Sequence, residues 1–149
     1  MRAVVQRVKQ CSVKVAGSET GSIETGFLVF LGVARDDTPE DLDYLAAKII
    51  NLRAFEDDDA KMNRSLREAG GEMLVVSQFT LLADCRRGRR PSFTDAAAPE
   101  TAQALYNEFI ARIRQQGIRV ACGVFQADME VSLVNDGPVT FLLDSKKLF

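Results

Sequence analysis

The run Phe27-Leu28-Val29-Phe30-Leu31-Gly32-Val33 carries no polar residue. A strand with one wet face alternates apolar and polar residues, so an unbroken run of this length requires a strand covered on both faces. The chain is thereby committed to a centrally buried sheet with cover on each side. Met1 to Val15, valine-rich with interleaved polar residues, reads as a strand, and the cluster Gly17-Ser18-Glu19-Thr20-Gly21 reads as a hairpin-like turn before the next apolar run. Helical cover begins at Thr38-Pro39, where Asp41 completes an approximate capping box; Leu42, Leu45, Ala46, Ile49 and Leu52 then share one face. A second helix starts near Pro99, turns Ala102, Leu105, Tyr106, Phe109 and Ile113 inward, and stops at Gly117, with Arg112 and Arg114 suiting its C-terminal end. Glu72 to Val76 reads as a buried strand, and Met129 to Val134 and Val139 to Leu143 as two strands flanking a hairpin turn. This order predicts a mixed α/β fold, a barrel-like or two-layer β-sheet structure with two α-helices packed on one side. With 149 residues and no repeat or linker, one domain over 1–149 is expected.

Composition limits function more than fold. A hydrophobic share of 46% with 27% charged residues is that of a globular protein. Met1 to Gln10 lacks the continuous apolar stretch of a signal peptide or membrane span, so a cytoplasmic protein without membrane contact is expected. Cys11, Cys85 and Cys122 lie far apart and read as separate reduced thiols; only Cys85, beside Arg86, has a cationic neighbour that activates a thiolate. The chain contains no histidine, which removes Ser-His-Asp and Cys-His catalysis and imidazole metal ligands. Neither a metal nor a cofactor is expected. A net charge of −2 argues against a generic nucleic-acid binder, so any RNA contact is local and DNA is not expected.

Three segments offer chemistry. Ser77-Gln78-Phe79-Thr80-Leu81 follows the end of a buried strand, where side chains and free backbone N–H groups project into a crevice; the same serine and threonine also suit a strand end that satisfies its own backbone. Asn135-Asp136-Gly137-Pro138-Val139-Thr140 has the composition of a hairpin connection, and its Gly-Pro bond is open to a cis state that aims two carbonyls one way. Arg86-Arg87-Gly88-Arg89-Arg90-Pro91-Ser92-Phe93 gathers four arginines beside an aromatic ring. It is either a solvated basic loop or a phosphate grip, with Phe93 stacking on a base or anchoring the loop. Glu56-Asp57-Asp58-Asp59 lacks the spacing of a calcium loop and reads as an exposed acidic turn.

Taken with the start Arg2-Ala3-Val4-Val5-Gln6-Arg7-Val8, the blocks Ser77–Leu81, Arg90–Phe93 and Asn135–Thr140 resemble, in order and spacing over nearly the whole chain, the D-aminoacyl-tRNA deacylase family of the bacterial and eukaryotic type. The resemblance implies a barrel-like homodimer with an active site at each subunit interface, hydrolysing D-aminoacyl-tRNA and releasing glycine from mischarged tRNA. It implies that Ser77, Gln78, Phe79 and Thr80 line the pocket, with Arg7, Met129 and Asn135 in supporting or substrate-binding roles. It further implies that Gly137 and Pro138 form a cis-proline element that enters the partner's pocket and rejects L-amino acids. Arg86, Arg87, Arg89, Arg90 and Phe93 are the tRNA-contact candidates.

Two chemical routes suit these residues. In one, the Thr80 hydroxyl attacks the ester, but no histidine is available to activate it. In the other, N–H groups near Phe79 and Thr80 hold the oxyanion while a terminal ribose hydroxyl helps activate water, and this second route is preferred. A non-catalytic RNA-binding module and a small-molecule esterase are the alternatives from other classes.

Overall fold

A computed structural model describes residues 1–149. In chain order the elements are β1 (Arg2–Val15), β2 (Ser18–Ile23), β3 (Gly26–Gly32), α1 (Pro39–Ile50), β4 (Phe55–Glu56), β5 (Met62–Arg64), β6 (Glu72–Ser77), a 3-10 turn (Phe79–Leu82), α2 (Pro99–Gln115), β7 (Val120–Cys122) and β8 (Glu130–Asp144). Strand β1 is long enough to serve three partners. On one edge, Arg2 to Val8 pairs antiparallel with β3 and Cys11 to Val15 pairs with β2; the other edge pairs with β8 over most of its length. Beyond β3 the sheet continues in parallel through β6 to β7. Its two ends then meet: a Cβ built on Gly21 of β2 would stand 2.8 Å from the Cys122 carbonyl oxygen of β7, so the mixed sheet curls almost into a barrel.

The apolar run is divided between two cores. Phe27, Val29 and Leu31 face one way, with Met73 and Val75 of β6, and meet Leu42, Leu45 and Ile49 of α1 and Phe109 and Ile113 of α2. Leu28, Leu74 and Val76 face the barrel interior with Val8, Cys11, Val13 and Ile23. Both helices belong to the first core and neither to the second, which is the expected arrangement of two helices on one side of a barrel-like sheet. The start of α1 follows the capping logic as well, since the Asp41 carboxylate accepts from the backbone N–H and the hydroxyl of Thr38 at 3.0 and 3.1 Å. No helix is long and apolar enough to cross a membrane.

Several local expectations are corrected. The first turn is Ala16-Gly17, both at positive φ, and Ser18 to Gly21 already belong to β2; two residues with φ above zero suffice to reverse a twisted strand pair. Helix α1 ends at Ile50, two residues before Leu52, which still packs against the helix-side core. The last two expected strands do not form a hairpin. They lie end to end along β1, Glu130 to Asn135 opposite Lys14 to Val8 and Thr140 to Asp144 opposite Gln6 to Arg2, so Asp136 to Val139 form a bulge in one continuous strand. The short strands β4, β5 and β7 have too few residues to show a period. The acidic stretch is the exposed turn expected of it, organised by the Asp57 carboxylate accepting from the amides of Asp59 and Lys61.

Candidate active site

Strand β6 delivers the chain to a clamped turn. At its end the Gln78 amide donates to the Leu31 carbonyl of β3 at 2.8 Å, and Phe79–Leu82 then makes one 3-10 turn. Gly32 of β3 lies directly beneath: a Cβ there would meet the Leu82 side chain at 2.6 Å and the Gln78 carbonyl oxygen at 2.9 Å. Close approach of backbone to backbone is what glycine permits at this position. Leu81 and Ala83 donate back to the carbonyls of Gln78 and Thr80, whereas the amides of Phe79 and Thr80, which open the turn, have no acceptor within the chain. The Thr80 hydroxyl accepts from the Gln78 side-chain amide, and no titratable group contacts it.

A cleft of about 600 Å³ opens beside this turn, in the size range of small-ligand sites. Ser77, Gln78 and Phe79 form its floor, Ala102 and Tyr106 of α2 one wall, and Phe125 to Met129 the other. Thr80 stands outside the lining, on the exposed side of the turn. Burial pushes the Tyr106 phenol well above its usual pKa, and its hydroxyl donates to the Val75 carbonyl at 2.8 Å, so it serves as a wall and as no acid or base at neutral pH. Asp128 is the one charged residue lining the cleft. Sequence reading placed Ala102 and Tyr106 in the helix core and passed over Phe125 and Asp128. Helical period shows that a residue faces inward, and nothing local shows that the interior opens there into a cleft.

Gly137, Pro138, Asn135 and Arg7 form a second group. One β1 residue, Arg7, stands opposite the four-residue bulge Asp136 to Val139. Its guanidinium, only 5% of the residue being exposed, donates to the carbonyls of Ala54 at 2.6 Å and Asp136 at 3.3 Å and pairs with the Asp136 carboxylate at 3.2 Å. The Gly137-Pro138 peptide is cis, and both residues are exposed. Asn135 donates weakly to the Thr140 hydroxyl at 3.4 Å, leaving its buried side-chain oxygen unpartnered. None of these four residues lines the cleft of the same chain, whereas Met129 does. The structure thus separates the residues singled out in the sequence into a cleft group and a bulge group.

The arginine loop is pinched at its base by reciprocal backbone bonds between Asp84 and Ser92. Arg86 folds back along the surface, gripping the Asp84 carboxylate with Nε and Nη2 at 2.8 Å each, and those bonds hold that carboxyl far below its usual range. Arg87, Arg89 and Arg90 are exposed, and none forms an ion pair within the chain. Phe93 packs edge-on against Phe79, centroids 5.0 Å apart, and this contact brings the arginine loop to the rim of the cleft.

Residues 4–144 match the family described as D-Tyr-tRNA(Tyr) deacylase. Proteins named D-aminoacyl-tRNA deacylase from Desulfotalea psychrophila and Thermosipho africanus are 57% and 58% identical over 149 residues, covering the whole of both chains in each case. Among solved structures, the c-Myc DNA Unwinding Element Binding Protein superposes with a TM-score of 0.91 at 40% identity, over 97% of this chain and 98% of that one. A probable eukaryotic D-amino acid tRNA deacylase superposes with a TM-score of 0.84 at 20% identity, over 96% and 98%, and speaks for the fold alone. On the family match and these full-length identities together, the chain belongs to the D-Tyr-tRNA(Tyr) deacylase family.

Proposed function

We propose that this protein hydrolyses the ester bond of D-aminoacyl-tRNA, releasing free D-amino acid and tRNA, and that it also releases glycine from glycyl-tRNA mischarged on tRNA-Ala. The observation that carries the reading is a largely apolar cleft bordered by two free amides, those of Phe79 and Thr80. When water adds to the ester carbonyl, the electron pair moves onto oxygen, and two preorganised N–H donors are what that oxyanion needs. The tetrahedral intermediate then expels the ribose oxygen, and the proton lost by the attacking water passes through the neighbouring ribose hydroxyl to that oxygen as the carbon–oxygen bond breaks. A histidine-free chain supplies no strong base at the turn, so the neighbouring ribose hydroxyl of the terminal adenosine assists the attacking water. The single side-chain partner of Thr80 is the Gln78 amide, which accepts no proton at neutral pH and therefore speaks against Thr80 as nucleophile. No metal or cofactor enters this scheme.

Chirality is selected in this reading by a homodimer, each subunit's exposed Gly137-Pro138 bulge entering the other's cleft. A pocket that accepts many D-side chains cannot recognise them individually, so rigid backbone that excludes the L-configured side chain is the economical filter, and glycine, without a Cβ, passes it. Arg87, Arg89 and Arg90 hold phosphates of the tRNA in the cytoplasm, with no membrane involved, and duplex DNA is not expected to compete. The test compares amino acid release from D-aminoacyl-tRNA, L-aminoacyl-tRNA and a free D-amino-acid ester. Release from the first alone is expected. Salt-sensitive binding without turnover would make the protein an RNA-binding module, and equal release from the free ester would make it a small-molecule esterase.

A further inference from the structure

We infer that Arg2 is a positioning residue for the reaction, holding the Phe79–Leu82 turn by the carbonyl of Leu81. Its Nη1 donates to the Leu81 carbonyl oxygen at 2.9 Å. The guanidinium is itself aimed by Asp144, whose carboxylate accepts from Arg2 Nε at 2.9 Å and whose side chain is 3% exposed. The other oxygen of Asp144 accepts the Lys146 amide at 2.7 Å, so the carboxylate has no freedom to swing away. Register supports the same geometry. Arg2 is paired across β1 and β3 with Gly32, the residue on which the turn rests, and across β1 and β8 with Asp144.

The turn is therefore held at three points: its entry by the bond from Gln78 to Leu31, its underside by Gly32, and its exit by Arg2. Phe93 also packs on the Phe79 ring, but of the contacts on the turn only that of Arg2 brings a charge. A guanidinium bonded to a peptide carbonyl polarises that peptide and its hydrogen-bonded neighbours. Oxyanion stabilisation depends on donors that need no reorganisation as charge develops, so a loosened exit lowers the rate while leaving the cleft that binds substrate intact. The inference rests on the proposed deacylation at this turn.

The experiment measures steady-state kinetics on a D-aminoacyl-tRNA for Arg2→Ala and Arg2→Lys, with Arg35→Ala, an exposed arginine whose side chain bonds to nothing, as control, all at temperatures well below each Tm. Arg2→Ala is expected to lose roughly 10- to 100-fold in kcat with KM changed less than about 2-fold. Arg2→Lys retains charge but cannot bond Leu81 and Asp144 in the same fork, and is expected to fall between Arg2→Ala and wild type. An unchanged kcat in Arg2→Ala, or a rise in KM alone, overturns the assignment; if Arg2→Ala does not fold, a lowered kcat at unchanged KM in Arg2→Lys upholds it and wild-type kcat there overturns it. Should the wild-type protein release nothing from D-aminoacyl-tRNA, the proposed function fails, and amide hydrogen exchange decides the positioning separately. Faster exchange confined to Leu81 and Ala83, the amides bonded across the turn, in Arg2→Ala or Arg2→Lys upholds it, and unchanged exchange overturns it.

Discussion

A Cβ on Gly137 would stand 3.0 Å from Arg7 Nη2 and 2.8 Å from a methyl group of Val139. The guanidinium cannot retreat, because it is buried and bonded to Ala54 and Asp136. The φ of Gly137 is +118°, a region that L side chains rarely occupy. Gly137→Ala is therefore expected to lose about 1–3 kcal/mol in urea denaturation and to displace the exposed bulge. If that bulge filters configuration in a second subunit, the same variant hydrolyses L-aminoacyl-tRNA faster relative to D-aminoacyl-tRNA than wild type does. An unchanged D-to-L ratio in a protein that has lost stability would separate the bulge from selection.

The Phe79 and Thr80 amides, and no side-chain hydroxyl, hold the oxyanion in the proposed chemistry, so Thr80→Ala, which keeps the amide, is expected to stay within about 10-fold of wild-type kcat. Substrate ending in 2'-deoxyadenosine is expected to lose roughly 100-fold or more, the scale of a general acid or base removed. Single-turnover rates on both substrates check the pair. The reverse pattern would restore Thr80 as nucleophile.

The elements most legible in the sequence are those whose signal is local. The apolar run at Phe27 requires cover on two faces and has it, and Thr38 with Asp41 marks the start of α1. Where the outcome depends on a distant partner, local chemistry was ambiguous. Asn-Asp-Gly-Pro suits a hairpin and a bulge equally, and what decides is that β1 offers one edge long enough to pair with both halves of β8. Arg7 in a strand gives no sign of burial, since the carbonyl of Ala54 that receives it comes from the segment between α1 and β4. The cleft floor was readable as the end of a buried strand, but its walls were not. Ala102 and Tyr106 keep a helical period whether the space beyond them is filled or open.

Of the four arginines at the rim, Arg86 is committed to Asp84 and three are free for phosphate. Each single-strand phosphate neutralised contributes roughly 0.7 to the slope of log affinity against log salt. Replacing Arg87, Arg89 and Arg90 together with alanine is expected to flatten that slope for tRNA by about 2 and to raise KM, with stability unchanged. Arg86→Ala is expected to leave the slope nearly as it was and to loosen the loop instead. Salt-titrated filter binding distinguishes the two, and equal slopes for the triple variant and wild type would remove the loop from the tRNA interface.

Cys11 and Cys85 make opposite predictions from one principle, that a thiolate forms only where charge is solvated. Cys85 is exposed, and it is expected to react with an aromatic disulfide reagent at pH 8 far faster than Cys11, which lies in the barrel-side core. Burial pushes the Cys11 thiol from 9.0 up to about 12. Between those values the unfolded chain has released the proton that the folded chain still holds, so the unfolded state binds fewer protons and stability falls as pH rises. The contribution is complete below pH 9 and is lost progressively as pH climbs toward 12. Urea midpoints measured from pH 8 upward are expected to decline less steeply in Cys11→Val than in wild type, and parallel curves would show that the buried thiol carries none of the slope.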